Sequence, residues 1–123
     1  MIVGVGIDLC LISRMKEAVQ RHEGRFEKRV FTEGERADCT ANAEPAQHYA
    51  ARFAAKEAVV KACPVLRGQS WHDVEVAREA DGRPRLRLHG PAAEAVAQLG
   101  VARMHVSLSH DGDHSIAVVI AEG

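Results

Sequence analysis

Three charged residues stand where charge is expensive. Ile2–Asp8 alternates β-branched residues with glycine, which predicts a strand carrying Val3, Val5 and Ile7 on one face and Gly4, Gly6 and Asp8 on the other. Nothing bulky lies beside the Asp8 carboxylate, so there is room for a ligand, and two glycines at period two suit close approach by a substrate or another backbone. Glu57 and Lys61 lie in Ala46–Cys63, an alanine-rich run without internal glycine or proline that Pro64 stops, which predicts the longest helix. At about 100° per residue, Phe53, Glu57, Ala50, Lys61, Ala54 and Ala58 share one stripe, expected to be the buried one, while Arg52 and Lys56 lie on another face. Charges taken from water on such a stripe are costly unless they are paired or metal-bound.

Two carboxylates on separate elements, with a lysine one helical turn beyond one of them, are suited to holding magnesium against a diphosphate. Magnesium takes oxygen ligands, commonly one or two carboxylates plus substrate phosphates and waters, and lysine supplies a mobile charge for phosphate oxygens. Purely structural roles exist for the same residues. Glu57 and Lys61 have the spacing of a surface ion pair worth on the order of 0.3 kcal/mol, and Asp8 stands just before a helix whose N-terminus favours an acid.

The remaining elements must position these groups. An amphipathic helix is expected from about Ser13 to His22 with Ser13 as a candidate N-cap, and Thr32-Glu33-Gly34-Glu35 has the spacing of a capping box, which starts a helix near Glu33. Trp71–Arg78 and Arg85–His89 read as strands joined around Asp81-Gly82. Pro91 opens a helix that closes at Gly100, and Arg103–His110 pairs with Ser115–Ala121 through Asp111-Gly112. The sum is one α+β domain over residues 1–123, with a largely antiparallel sheet and a long central helix.

Composition narrows the function classes. With a net charge of -1 over 123 residues there is no field to gather nucleic-acid phosphates. Stacking aromatics are also scarce. At 46% apolar but 4% aromatic, the core is thin and would gain from burial between subunits. Cys10, Cys39 and Cys63 form no CxxC pattern, which argues against disulfides and thiolate zinc. No apolar run has the length of a membrane span and Met1–Ile12 lacks the features of a signal peptide, so the expected location is cytoplasmic. Between Arg14 and Arg29 the chain carries six basic and three acidic residues, a face for an acidic partner or simply a solvated helix surface. His105, His110 and His114 do not share a strand face, which argues against a histidine metal site.

The residues now in view resemble the holo-[acyl-carrier-protein] synthases, the small trimeric class of 4'-phosphopantetheinyl transferases. The likeness runs through Val3-Gly4-Val5-Gly6-Ile7-Asp8, Arg29-Val30-Phe31-Thr32-Glu33, Ala51-Arg52-Phe53-Ala54-Ala55-Lys56-Glu57-Ala58-Val59-Val60-Lys61, Trp71-His72-Asp73-Val74-Glu75-Val76, Gly82-Arg83-Pro84 and His105-Val106-Ser107-Leu108-Ser109-His110. Gly-x-Asp followed by Phe-x-x-Lys-Glu-x-x-x-Lys is specific as a pair and weak singly.

The resemblance implies that Asp8 and Glu57 hold Mg2+ and that Lys61 reaches the diphosphate of coenzyme A. It places Arg52 and His105 near the nucleotide end and its 3'-phosphate, and the Gly82-Arg83-Pro84 turn against the adenine. It further implies a homotrimer with active sites shared across subunit boundaries, and docking of an acidic acyl carrier protein on Arg14, Arg21 and Arg25. The implied reaction is attack of a carrier serine hydroxyl on the β-phosphorus of coenzyme A with loss of 3',5'-ADP, serving fatty-acid or polyketide synthesis. Glu57, a metal-held water and the His110-Asp111 pair are alternatives for the base. One departure stands out: many members follow the long helix with a glycine-rich turn, whereas this chain has Cys63-Pro64-Val65-Leu66-Arg67-Gly68. Proline offers no N–H, so an altered pocket is expected there. A non-catalytic sensor of coenzyme A is the rival reading; it would have little use for two magnesium carboxylates.

Overall fold

A computed structural model covers residues 1–123. Strand β1 (Ile2–Leu11) runs directly into helix α1 (Ile12–Arg21), followed by α2 (Arg25–Val30), α3 (Glu33–Thr40) and the long α4 (Pro45–Ala62). A hairpin of β2 (Val74–Arg78) and β3 (Pro84–Leu88), helix α5 (Gly90–Gln98) and a second hairpin of β4 (Arg103–Asp111) and β5 (His114–Glu122) complete the chain. The larger sheet has the order β1-β5-β4, and every strand pair is antiparallel. The expected α+β architecture with a long central helix is therefore the observed one.

Local chemistry explains most of the boundaries. The Thr32 hydroxyl accepts from the Glu35 N–H while the Glu35 carboxylate accepts from the Thr32 N–H, so α3 begins on a complete capping box. Ser13 does not cap α1. Its N–H and hydroxyl both donate to Asp113, at 2.9 and 2.6 Å, which ties the start of α1 to the turn between β4 and β5. Trp71–Asp73 forms a 3-10 turn rather than the start of a strand, and the Ser70 hydroxyl accepts from the His72 N–H at its entrance. Helix α2 is an addition to the expected elements; Gly24, at φ 85°, provides the left-handed residue that separates it from α1.

The buried side of α4 reverses the sequence expectation. Ala50, Ala54 and Ala58 are fully buried as the stripe predicted, but the charges taken out of water are Arg52 and Lys56, at 4% and 1% exposure. Glu57 is only partly buried and Lys61 is exposed. The helix is covered on more than one side. The sheet lies against its alanines, while α3, β2 and the Trp71–Asp73 turn close over Lys56 and provide its partners. Lys56 Nζ lies 2.8 Å from Glu35 Oε1 and donates to the Trp71 and Val74 carbonyls, and the other Glu35 oxygen accepts from the Val76 N–H. The buried charges of Lys56 and Glu35 are tolerated because each has a partner.

The two glycines of β1 serve the same packing. A Cβ on Gly4 or Gly6 would run into the carbonyl oxygens of Ala62 or Ala58, so the space beside Asp8 that the sequence left open is filled by the backbone of α4. The opposite face of this sheet is apolar and uncovered. Val3, Val5, Ile7 and Leu9 are 45% to 60% exposed. Val5, Ile7 and Leu9 stand in register with Ile120, Val118 and Ile116 of β5, and His105, Ser107 and Ser109 continue the row on β4.

Candidate active site

Close packing of β1 on α4 brings together the three residues first singled out. Lys61 Nζ lies 2.8 Å from Asp8 Oδ1 and also donates to the Ile7 carbonyl at 3.1 Å. Partial burial raises the Glu57 carboxyl above its usual range; the negative charge of Asp8 adds to this and Lys61 opposes it. Asp8 and Glu57 thus repel one another partly out of water, with one lysine to balance them. That is the charge deficit a divalent cation corrects, and two carboxylates suffice for a magnesium completed by phosphates and waters. No cluster of three or more His, Cys, Asp and Glu side chains able to hold a metal forms anywhere in the chain.

A cavity of about 200 Å³ adjoins Glu57 and is lined by Lys56, Val60, Leu66, Arg67, Gly68 and Trp71 among others. Its wall includes the turn in which the chain departs from its resemblance. Pro64–Leu66 forms a single 3-10 turn that buries Leu66 and leads to Gly68 at φ 83°. Phe53 stacks on Trp71 at 5.3 Å between ring centroids, bracing the other side.

Two further cavities flank the turn between β2 and β3. One, of about 240 Å³, is lined by His48 and Arg52 of α4, Arg78 of β2, the turn residues Gly82 and Pro84, and His110 of β4. The other, about 990 Å³ and more open, takes in Arg83, Pro84, Arg103 and His105. Within one chain, therefore, Arg52 shares its cavity with His110 and not with His105. The His105 ring nitrogen instead lies 3.0 Å from Glu122, which also meets Arg103 at 3.1 Å. Burial and the nearby Arg52, Arg78 and His110 hold His48 below the ordinary histidine range.

Arg52 and Glu57 are five residues apart on α4, about 7.5 Å along its axis and about 140° around it. The cavity at Arg52 and the carboxylate pair thus lie on different sides of one helix. Arg14, Arg21 and Arg25 are exposed on α1 and the start of α2. Asp111, at the end of β4, is exposed as well.

Sequence reasoning missed Glu35 as the partner of Lys56 and missed the lining residues His48 and Arg78. The capping-box spacing located Glu35, but nothing in the local sequence shows that its second oxygen serves β2. No pattern along the chain announces His48 or Arg78, because they converge only when the β2–β3 hairpin closes on α4.

Comparison with known proteins gives a concordant picture. The profile of the 4'-phosphopantetheinyl transferase superfamily matches residues 4–119. The holo-[acyl-carrier-protein] synthase of Geobacter sulfurreducens is 47% identical over 99% of this chain and 98% of its own, and that of Methylobacterium radiotolerans 49% identical over 99% and 94%. Among solved structures, the holo-[acyl-carrier-protein] synthase of Neisseria meningitidis superposes with a TM-score of 0.90 at 31% identity over the whole of both chains. The Helicobacter pylori enzyme in complex with coenzyme A gives 0.81 at 28% identity over 96% of this chain and 99% of that one. This chain belongs to the 4'-phosphopantetheinyl transferase superfamily.

Proposed function

We infer that this protein is a holo-[acyl-carrier-protein] synthase, moving 4'-phosphopantetheine from coenzyme A to a serine of an apo-acyl carrier protein. The observation that carries the reading is the convergence of Asp8 of β1 with Glu57 and Lys61 of α4, two carboxylates and a lysine, beside a cavity. A pure coenzyme A sensor would have little use for this arrangement.

Phosphoryl-type transfer depends mainly on alignment and charge neutralisation. The carrier serine hydroxyl attacks the β-phosphorus, the bond to the nucleotide-side phosphate breaks, and 3',5'-ADP leaves. Asp8 and Glu57 would hold magnesium, which would supply charge neutralisation on the diphosphate. Lys61 is exposed and mobile enough to exchange its bond to Asp8 for a phosphate oxygen. The nucleotide end is assigned to Arg52, Gly82 and Pro84, with Arg83 and His105 on the far side of the same turn. The cavity next to Glu57, with Arg67 and the Pro64 turn in its wall, suits the pantetheine end. Glu57, raised above the usual carboxylate range, and the His110-Asp111 pair are the candidates to take the serine proton.

The exposed apolar face formed by β1 and β5 supports an interface between copies of this chain, since a contiguous patch of that kind marks one, and the family likeness makes the assembly a homotrimer. Assembly would bring one chain's Asp8, Glu57 and Lys61 together with a neighbour's nucleotide cavity. Arg14, Arg21 and Arg25 form the docking face for an acidic carrier. Three free thiols, two of them buried, suit a reducing cytoplasm. Incubation with coenzyme A, magnesium and apo-carrier, followed by protein mass spectrometry, tests the reading: carriers from fatty-acid and polyketide systems gain the phosphopantetheine mass if it holds, and none does if the chain only binds coenzyme A.

A further inference from the structure

The basic segment formed by α1 and α2 is held at both of its outer ends by side chains from elsewhere in the chain. The first N–H groups and the last carbonyls of a helix find no partner inside it. Leu11 precedes α1 without a side-chain hydrogen bond, and the first turn of α1 carries no acid. Asp113 takes the place of a local cap. Its carbonyl accepts from the Ile12 N–H at 2.8 Å, and its carboxylate accepts from the Ser13 N–H and hydroxyl. At the far end the Lys28 carbonyl, in the last turn of α2, lies 2.8 Å from His72 Nε2. A carbonyl only accepts, so His72 is the donor. Phe26 of α2 reinforces this end by packing on Phe53, which stacks on Trp71 beside His72.

We propose that Asp113 and His72 are positioning residues for the carrier protein: they hold α1 and α2 in register with the site, so that a carrier docked there presents its serine in line. The proposal rests on the reading above that Arg14, Arg21 and Arg25 form the docking face, and it adds two residues that act through that face. Both belong to walls of the site. Asp113 follows directly on His110 and Asp111 in the turn between β4 and β5, and His72 adjoins Trp71, which lines the cavity beside Glu57. The contacts they make to the segment are exposed, and hydrogen bonds open to water contribute little to overall stability. What they fix is direction. A misplacement of about 1 Å at a reacting group costs about 10²-fold in rate, so a small swing of the docking segment is felt in transfer to the carrier and not in binding of coenzyme A.

The test is steady-state transfer by the whole protein with coenzyme A and an apo-acyl carrier protein varied in turn, beside calorimetric binding of coenzyme A. Asp113→Ala and His72→Leu should each lower kcat/KM for the carrier about five- to tenfold, the scale of a lost helix cap, while coenzyme A affinity stays within about twofold. Asp113→Asn keeps a capping oxygen and His72→Gln keeps a donor, so both should return the carrier's kcat/KM to within about twofold of the wild type. A merely structural role would lower coenzyme A binding and carrier transfer together, and that result would overturn the proposal. If Asp113→Ala or His72→Leu serves the carrier like the wild type while Arg14→Glu serves it poorly, that residue's positioning role is refuted and the docking face stands. If Arg14→Glu also serves the carrier normally, the docking reading falls and the proposal with it.

Discussion

Lys61 Nζ and Asp8 Oδ1 lie 2.8 Å apart, joining the last turn of α4 to β1 across the contact that Gly4 and Gly6 make possible. The lysine is about half exposed and the aspartate about one-fifth. A pair so accessible to water contributes at most about 1 kcal/mol to folding, so its placement is better explained by chemistry than by stability. Lys61→Met should leave the denaturation midpoint nearly unchanged while lowering kcat by about 10²- to 10³-fold, the scale for removing one charge-stabilising donor. A variant that unfolds much more easily but transfers normally would assign the pair to the fold instead.

The buried pair of Lys56 and Glu35 should behave in the opposite way. Both side chains are essentially inaccessible, and removing one partner leaves an uncompensated buried charge. Lys56→Met or Glu35→Leu is expected to cost about 3 to 5 kcal/mol in urea unfolding, with the double substitution recovering part of the loss. Single-variant losses below about 1 kcal/mol would contradict the network.

Gly6→Ala tests the sheet–helix contact. Because the added methyl meets the Ala58 carbonyl, a backbone atom with nowhere to move, α4 must shift away from β1. Overpacking typically costs about 1 to 3 kcal/mol and occasionally more, and the shift also displaces Glu57 and Lys61 from Asp8, so transfer should fall even where the variant remains folded. Unchanged stability and rate would show that the close approach is dispensable.

The uncovered face of the larger sheet should be an interface. Sedimentation of the wild type is expected to give three copies of the 13.4 kDa chain, and Val5→Lys or Ile7→Lys, placing a charge in the apolar row, should shift it to monomer with loss of transfer. A wild type that sediments as a monomer would refute the assembly.

How much of this was legible along the chain follows from how local each signal is. The Asp81-Gly82 and Asp111-Gly112 turns, the Thr32–Glu35 capping box and the Pro91 helix start depend on near neighbours, and each lies where its spacing placed it. The alternation of β1 is legible in the sequence, including the glycine face that packs on α4. The buried stripe of α4 was not, because an alanine-rich helix covered on several sides has little contrast from which to choose a face. Its deepest charge, Lys56, is buried by Glu35 from α3 and carbonyls from Trp71 and Val74, groups that meet it only in the fold. Asp8, Glu57 and Lys61 were found as a trio because the strand parity and the helix spacing survive in one dimension. His48 and Arg78 have no such trace.

The most direct measurement is transfer itself, followed by intact-protein mass spectrometry of an apo-acyl carrier protein incubated with coenzyme A, magnesium and either the wild type or Asp8→Ala. The wild type should convert the carrier to the phosphopantetheinylated form and release 3',5'-ADP, and Asp8→Ala, equally folded, should not. A carrier that gains no mass with the wild type while coenzyme A still binds, or one modified equally well by Asp8→Ala, would contradict the account.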